Sequence, residues 1–294
     1  MSFRSGFIAL IGRPNVGKST LLNQILGEKI AIVSDKPQTT RNQILGVRNL
    51  PDTQLVFLDT PGIHKPRHKL NQRMVDGALK TFNQVDILAF LVEATGMPGT
   101  GDRFILESLR GVKKNKYLIV NKIDLVQKVT LLPLITEYAR ECSFDEVFPV
   151  SALKGENVEP LVKSFSGLLP EGDPFFPEDV ITDQPMRFIA GEMIREQVLK
   201  RTRDEIPYSV AVWIESFKED PGRPLVRIQG IIYVERDSQK GILIGKGGEL
   251  LKKIGTEARL EIEGILGTKV FLDLWVKVRK NWRENERVLQ QLGY

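Results

Sequence analysis

The sequence predicts an α/β domain built on a mostly parallel sheet, followed by a smaller α+β domain. Three observations carry this reading. Through residues 1–170 short apolar runs alternate with amphipathic helical stretches, the pattern of a parallel sheet covered on both faces. Residues 171–185 (EGDPFFPEDVITDQP) break the pattern with three prolines, one glycine and five acidic residues, and read as a linker or long surface connection. Over residues 186–294 the order becomes α-β-β-α-α-β with a further C-terminal helix. A chain of 294 residues accommodates these as two domains.

The elements follow in order. Residues 7–11 (FIALI) read as a buried strand that runs into GRPNVGKS at 12–19, and Leu21, Leu22, Ile25 and Leu26 then mark a helix. Residues 55–58 form a second apolar run, stopped by Asp59-Thr-Pro-Gly62. Residues 85–92, 117–120 and 147–150 repeat the pattern, with helices over 69–82, 103–109, 131–140 and 158–168. In such sheets ligands bind outside the carboxyl ends of the strands, where each Gly- or Asp-bearing signature falls. After the connection, 186–203 reads as a helix, and 208–217 and 225–235 as strands joined by the turn-forming Glu219-Asp-Pro-Gly222. A loop at 242–248 (ILIGKGG) opens a helix to about Leu266. Residues 269–276 alternate as a strand with Val270, Leu272, Leu274 and Val276 on one face, and 281–289 closes the chain as a helix. Ile228, Ile232, Trp213 and Trp275 are expected in the core of this second domain.

Composition narrows the function classes. The single cysteine, Cys142, excludes an internal disulfide or a cysteine-based zinc site and fits a reducing compartment. His64 and His68 are four apart, but no H-E-x-x-H pattern or further ligand accompanies them. No window approaches the ~18 consecutive apolar residues of a membrane span, and the opening MSFRSGF lacks the apolar region of a secretory signal. The expectation is a soluble, cytoplasmic protein. The net charge of +5 is uneven: Lys and Arg exceed Asp and Glu by 22 to 21 over residues 1–185 and by 20 to 16 over 186–294. That excess points to an anionic partner for the second domain.

Gly12, Gly17, Lys18 and Ser19 fit G-x-x-x-x-G-K-[ST], placed after a strand and opening a helix. The glycines let backbone N–H groups close on phosphate oxygens, and the helix N-terminus adds a favourable dipole. Lys18 is positioned for the β- and γ-phosphates, and Ser19 offers a hydroxyl to Mg²⁺. Asn15, Val16 and Thr20 complete the nucleotide loop. Asp59 would hold Mg²⁺ through water, and the Gly62 N–H would meet the γ-phosphate. Asn121-Lys122-Ile-Asp124 selects the base: a carboxylate accepts from guanine N1 and N2, whereas adenine lacks both donors and would leave Asp124 unpaired. Asn121 would tie this loop to the first, and the Lys122 stem would cover a ring face. The segment Ser151-Ala152-Leu153 would set a backbone N–H at guanine O6.

At these residues the chain resembles the Ras-like superfamily of P-loop GTPases, and Gln38-Thr-Thr-Arg41 resembles the switch I signature of its Era/TrmE branch. That resemblance implies a GTPase in which a switch threonine completes the Mg²⁺ site. Thr40 is assigned, with Thr39 in reserve, so that Ser19, Thr40 and Asp59 form the metal set and Lys18, Thr40 and Gly62 act on the phosphates. Ile63 stands where many relatives have a glutamine that orients the attacking water, so intrinsic turnover should be slow or another group must hold the water. Asn15 matches the P-loop asparagine that helps hold K⁺ in potassium-stimulated members.

In the second domain, Gly245-Lys246-Gly247-Gly248 opens a helix within α-β-β-α-α-β and resembles a type II KH domain, a clamp for about four nucleotides of single-stranded RNA. Gly245, Gly247 and Gly248 permit close approach of backbone to the sugar-phosphate chain, while Lys240, Lys246 and Lys252 offer cations to phosphate. A Ras-like domain, an acidic connection and a KH domain together resemble the Era family of bacterial ribosome-assembly GTPases over essentially the whole chain. The resemblance implies binding near the 3′ end of small-subunit (16S-type) ribosomal RNA, action on the 30S subunit, and control by GTP or GDP with Mg²⁺ as cofactor. Two other readings stand beside it: an RNA chaperone whose nucleotide site is only structural, and a membrane-surface GTPase in peripheral contact with the inner face of the cell membrane.

Overall fold

The computed structural model describes residues 2–66 and 68–294. The chain divides into two compact units. The first comprises residues 1–31, 40–67 and 71–183, and the second 32–39, 68–70 and 184–294.

In the first unit the order is β1 (Arg4–Gly12), α1 (Lys18–Leu26), β2 (Ile44–Leu50), β3 (Thr53–Asp59), α2 (Lys69–Thr81), β4 (Ile87–Glu93) and α3 (Thr100–Leu109). There follow β5 (Asn115–Asn121), α4 (Leu131–Glu141), β6 (Glu146–Val150) and α5 (Val158–Leu168). The sheet order is β2-β3-β1-β4-β5-β6. All pairs are parallel except β2 with β3, which run antiparallel from Ile44 opposite Asp59 to Leu50 opposite Thr53. The edge strand β2 was not expected from the sequence. Strand β1 lies between β3 and β4, so the chain winds away from it in both directions and opens a crevice at its carboxyl end. Central strands are buried along almost their whole length: all seven residues of β3 and six of seven in β4. That explains why they read as unbroken apolar runs.

Residues 171–183 are laid along this unit by side-chain clamps. The fully buried Gln54 accepts from the N–H groups of Phe175 and Phe176 at 2.7 and 3.0 Å and donates to the Phe176 carbonyl at 2.8 Å. Asn49 donates to the Glu178 carbonyl at 2.8 Å, and the Phe7 and Phe175 rings meet at 4.8 Å.

The second unit contains α6 (Met186–Arg201), α7 (Ile206–Ser209), β7 (Ala211–Glu219), β8 (Leu225–Val234), α8 (Asp237–Ile244), α9 (Glu249–Leu266), β9 (Lys269–Val278) and α10 (Glu286–Gln291). Its sheet has the order β7-β8-β9, with β7 antiparallel and β9 parallel to β8. The short helix α7, with Pro207 in its first turn, takes Tyr208 and Ser209 out of the expected first strand, which begins at Ala211. One face of the sheet buries Ile228, Ile232 and Val276 against α6 and α9, whose Ile254, Ala258 and Ile262 recur at every fourth position. Ile228 and Ile232 therefore lie in the core. Trp275 does not: it is 39% exposed on the opposite face, because the alternation that turns Leu274 and Val276 toward the helices turns the residue between them outward. Trp213, also on that face, is half-buried.

Candidate nucleotide and RNA sites

The nucleotide loop follows β1 and ends in α1. Gly12 and Gly17 carry φ of 153° and 100°, left-handed values that favour glycine. A Cβ at Gly17 would also collide with the Asn121 side chain. Lys18 is buried and donates to the carbonyls of Gly12 and Arg13 at 3.2 and 2.9 Å. Those bonds hold its ammonium inside the loop. Gly62 lies against the same loop, where a Cβ would sit 2.6 Å from the Pro14 nitrogen, and the Ile63 N–H donates to the Gly12 carbonyl at 3.0 Å. Close approach of two backbones is what requires glycine here. Ile63 is fully buried. His64 Nδ1 lies 2.9 Å from the Gly62 carbonyl oxygen.

Ser19, Thr40 and Asp59 converge. Ser19 Oγ donates to Asp59 Oδ2 at 2.6 Å, the two hydroxyls are 2.8 Å apart, and Thr40 Oγ1 donates to Asp59 Oδ2 at 3.4 Å. The other oxygen, Asp59 Oδ1, is buried without a hydrogen-bond partner. A buried carboxylate oxygen with nothing to accept is costly unless something electropositive meets it. Two hydroxyls and a carboxylate form the hard oxygen set that Mg²⁺ takes, so these residues fit that ion. Thr39 is not drawn in: its hydroxyl donates to the Lys36 carbonyl at 2.6 Å.

Burial dominates the electrostatics. It pushes the Asp59 carboxyl up to about 6, against the opposing pull of the Lys18 charge and the hydrogen bonds from Ser19 and Thr40. It pulls the Lys18 ammonium down to about 8, with Asp59 opposing. A carboxyl raised in this way favours the folded, ligand-free chain at low pH, and that contribution is lost as pH rises through about 6. Asp59→Asn, fixed in the neutral form, should therefore melt higher than the wild type at pH 8 without nucleotide. The rise is on the order of 3 kcal/mol, since each tenfold change in proton affinity is worth about 1.36 kcal/mol, and the two melts should converge toward pH 4. A variant less stable at pH 8 would contradict this balance.

The base loop is pinned at both ends. Asn121 Nδ2 donates to the Val16 carbonyl at 2.8 Å and its Oδ1 accepts from the Ala152 N–H at 2.9 Å, so one buried side chain joins the nucleotide loop to the Ser151–Leu153 turn. The Ser151 hydroxyl donates to Asp124 Oδ1 at 2.7 Å and holds that carboxyl below its ordinary range. Lys122, at φ 67°, is paired with Glu93. Leu153 is 77% exposed. Asn15 also has a left-handed φ, and Thr20 sits half-buried in the first turn of α1. An ion pair that sequence reasoning missed holds Arg13: its Nε lies 2.8 Å from the buried Asp102, which also caps α3 by accepting from the Gly99 N–H at 2.9 Å. The signal was present in the G-x-x-D spacing at 99–102.

In the second unit the turn between α8 and α9 is built from glycine. Gly245, Gly247 and Gly248 have φ of 73°, 60° and 83°, and a Cβ at Gly245 would sit 2.9 Å from Leu250 Cβ. Nothing lies within 4 Å of a Cβ at Gly247 or Gly248, so these two present open backbone. Lys246 and Lys252 are exposed beside them, while Lys240 lies half-buried on α8. A groove of about 360 Å³ runs from Gly248 between α9 and β9, with Lys252 and Arg259 on the helix side and Leu272 and Leu274 on the strand side. The motif located its end; Leu251, Gly255, Arg259, Leu272 and Leu274 were missed, because groove lining depends on how α9 crosses the sheet.

Comparison with known proteins covers both units. The family described as 50S ribosome-binding GTPase matches residues 7–122, and the KH domain family matches residues 205–283. The GTPase Era of Geotalea uraniireducens is 57% identical over 292 residues, 99% of this chain and 98% of its own length. That of Lacticaseibacillus paracasei is 55% identical over 290 residues, 99% and 96% respectively. A crystal structure of Era in complex with MgGDPNP and nucleotides 1506–1542 of 16S ribosomal RNA is similar with a TM-score of 0.95 at 42% identity, covering 99% of both chains. A variant of Aquifex aeolicus Era bound to GDP·AlF4⁻ gives a TM-score of 0.96 at the same identity and coverage.

Proposed function

This chain belongs to the Era family of GTPases, and we propose that it is a GTP-hydrolysing switch that binds small-subunit ribosomal RNA near its 3′ end during 30S assembly in the cytoplasm. The domains assigned are a GTPase domain over 1–170, a connection over 171–185 and an RNA-binding KH domain over 186–294. The observation that carries the reading is that one chain holds both a phosphate loop backed by an unpaired Asp59 oxygen and an open glycine turn leading into a groove.

In this reading Lys18 exchanges its two carbonyl partners for β- and γ-phosphate oxygens, and the Gly62 N–H faces the γ-phosphate. Ser19, Thr40 and Asp59 would hold Mg²⁺, which neutralises charge between the β- and γ-oxygens when bound. Asp124 accepts from guanine N1 and N2, and the Ser151–Leu153 turn offers a backbone N–H to O6. Since Ala152 N–H is engaged by Asn121, the neighbouring N–H of Leu153 is the donor assigned to O6.

The Ile63 side chain has no polar atom, so the side chain after Gly62 cannot orient water. Asn15 would hold a K⁺ ion, which would supply positive charge to the phosphates. Hydrolysis should then run faster in KCl than in NaCl at equal ionic strength. Asn15→Ala should remove the difference and leave GDP binding intact; equal rates in the two salts would remove the potassium site. The RNA assignment is tested by crosslinking in cells and sequencing the bound RNA. Reads concentrated at the 3′ end of 16S-type RNA are expected, and reads spread without preference would overturn it.

A further inference from the structure

The outer face of the β7-β8-β9 sheet carries a second set of groups suited to nucleic acid. Four Phe or Trp side chains are exposed among the described residues, and two of them, Phe271 and Trp275, lie on one face of β9. Four steps along the strand set them about 13 Å apart, enough for two different bases and too far for one. Register places Trp213, Ile231 and Trp275 in one row across the sheet and Lys218, Arg227 and Phe271 in another. The Arg227 guanidinium sits 5.6 Å from the centre of the Phe271 ring, and Arg279 is 5.6 Å from that of Tyr233. Lys277 is exposed at the end of the face. Against these cations the paired positions of the face hold one acid, Asp273, and Asp220 approaches Arg227 at 3.6 Å. Aromatic rings interleaved with cations on a sheet are what stack and neutralise successive nucleotides of a single strand.

The face is continuous with the groove. Leu272 and Leu274 of β9 line the groove, while Phe271 and Trp275, alternating with them, point to the other side of the same edge strand. We propose that this face is an extension of the RNA site, where bases of single-stranded RNA leaving the groove over the β9 edge stack on Phe271 and Trp275, with Lys218, Arg227 and Lys277 meeting its phosphates. The proposal rests on the groove being an RNA site. It reaches further: about four nucleotides fill a KH groove, and the extension makes a longer strand bind more tightly than a short one.

The test uses the full chain with Mg²⁺ and a non-hydrolysable GTP analogue, and labelled four- and twelve-nucleotide RNAs from the 3′ end of 16S-type RNA. The Phe271→Ala, Trp275→Ala double variant should bind the four-mer within twofold of wild type and lose about ten- to hundredfold for the twelve-mer, the scale of one or two stacked bases. Trp275→Phe should keep the long-strand affinity and Trp275→Leu should lose it, which separates stacking from simple apolar contact. Arg227→Glu should weaken only the twelve-mer. Equal affinity of the double variant and the wild type for both RNAs would overturn the extension while leaving the groove reading intact. A wild type that binds neither RNA would overturn both. Binding to anionic phosphatidylglycerol vesicles that the double variant loses, with RNA binding unchanged, would assign the face to lipid and overturn it as well.

Discussion

Asp124→Asn should weaken GTP binding by about 2–4 kcal/mol, the scale of a lost charge-assisted pair plus a buried donor left unmatched. The geometry makes the substitution severe. One carboxylate oxygen already accepts from the Ser151 hydroxyl at 2.7 Å. If the Asn carbonyl keeps that bond, its NH₂ faces the two donors of guanine. The same NH₂ is matched by a carbonyl at C2, so the variant should recover affinity for xanthosine triphosphate. Competition binding with GTP, ATP and XTP measures both effects. Equal competition by GTP and ATP at the wild-type site would refute the base assignment.

Lys246→Asp combined with Gly247→Asp should abolish tight RNA binding while leaving GTP hydrolysis without RNA unchanged. Both positions are exposed at the mouth of the groove, and Gly247 has no neighbour that a side chain would strike. Its φ of 60° carries some strain for Asp, a residue that tolerates the left-handed region better than most. The variant should therefore fold, which a circular-dichroism melt checks. Each phosphate that goes unpaired should flatten the logarithmic salt dependence by about 0.7 for a single strand. Unchanged affinity and slope in the folded variant would reduce the glycine turn to a connector between α8 and α9.

The residues that could be read from the sequence are those whose chemistry is local. Gly12 through Ser19 form a contiguous loop with a fixed spacing, and Asp59, Asn121 and Asp124 each stand at the carboxyl end of an apolar run. What could not be read depends on distant pairing. Strand β2 has no clear alternation in ILGVRNL and exists because β3 offers it an edge. The clamp of Gln54 on Phe175 and Phe176 joins residues about 120 positions apart, so composition alone left the acidic segment open between a linker and a long surface connection. Arg13 is drawn to Asp102 across 89 positions. Trp275 was within reach: an alternation that sets Val270, Leu272, Leu274 and Val276 on one face assigns it to the other.

The central claim is that the nucleotide bound in the first domain controls RNA binding by the second. Its most direct measurement is the affinity of the full chain for an RNA spanning the 3′ end of 16S-type RNA, compared with Mg²⁺ and a non-hydrolysable GTP analogue and with Mg²⁺ and GDP. At least tenfold tighter binding is expected with the GTP analogue, about 1.4 kcal/mol of coupling, and by reciprocity tighter analogue binding when RNA is present. Identical RNA affinity in the two nucleotide states would contradict it.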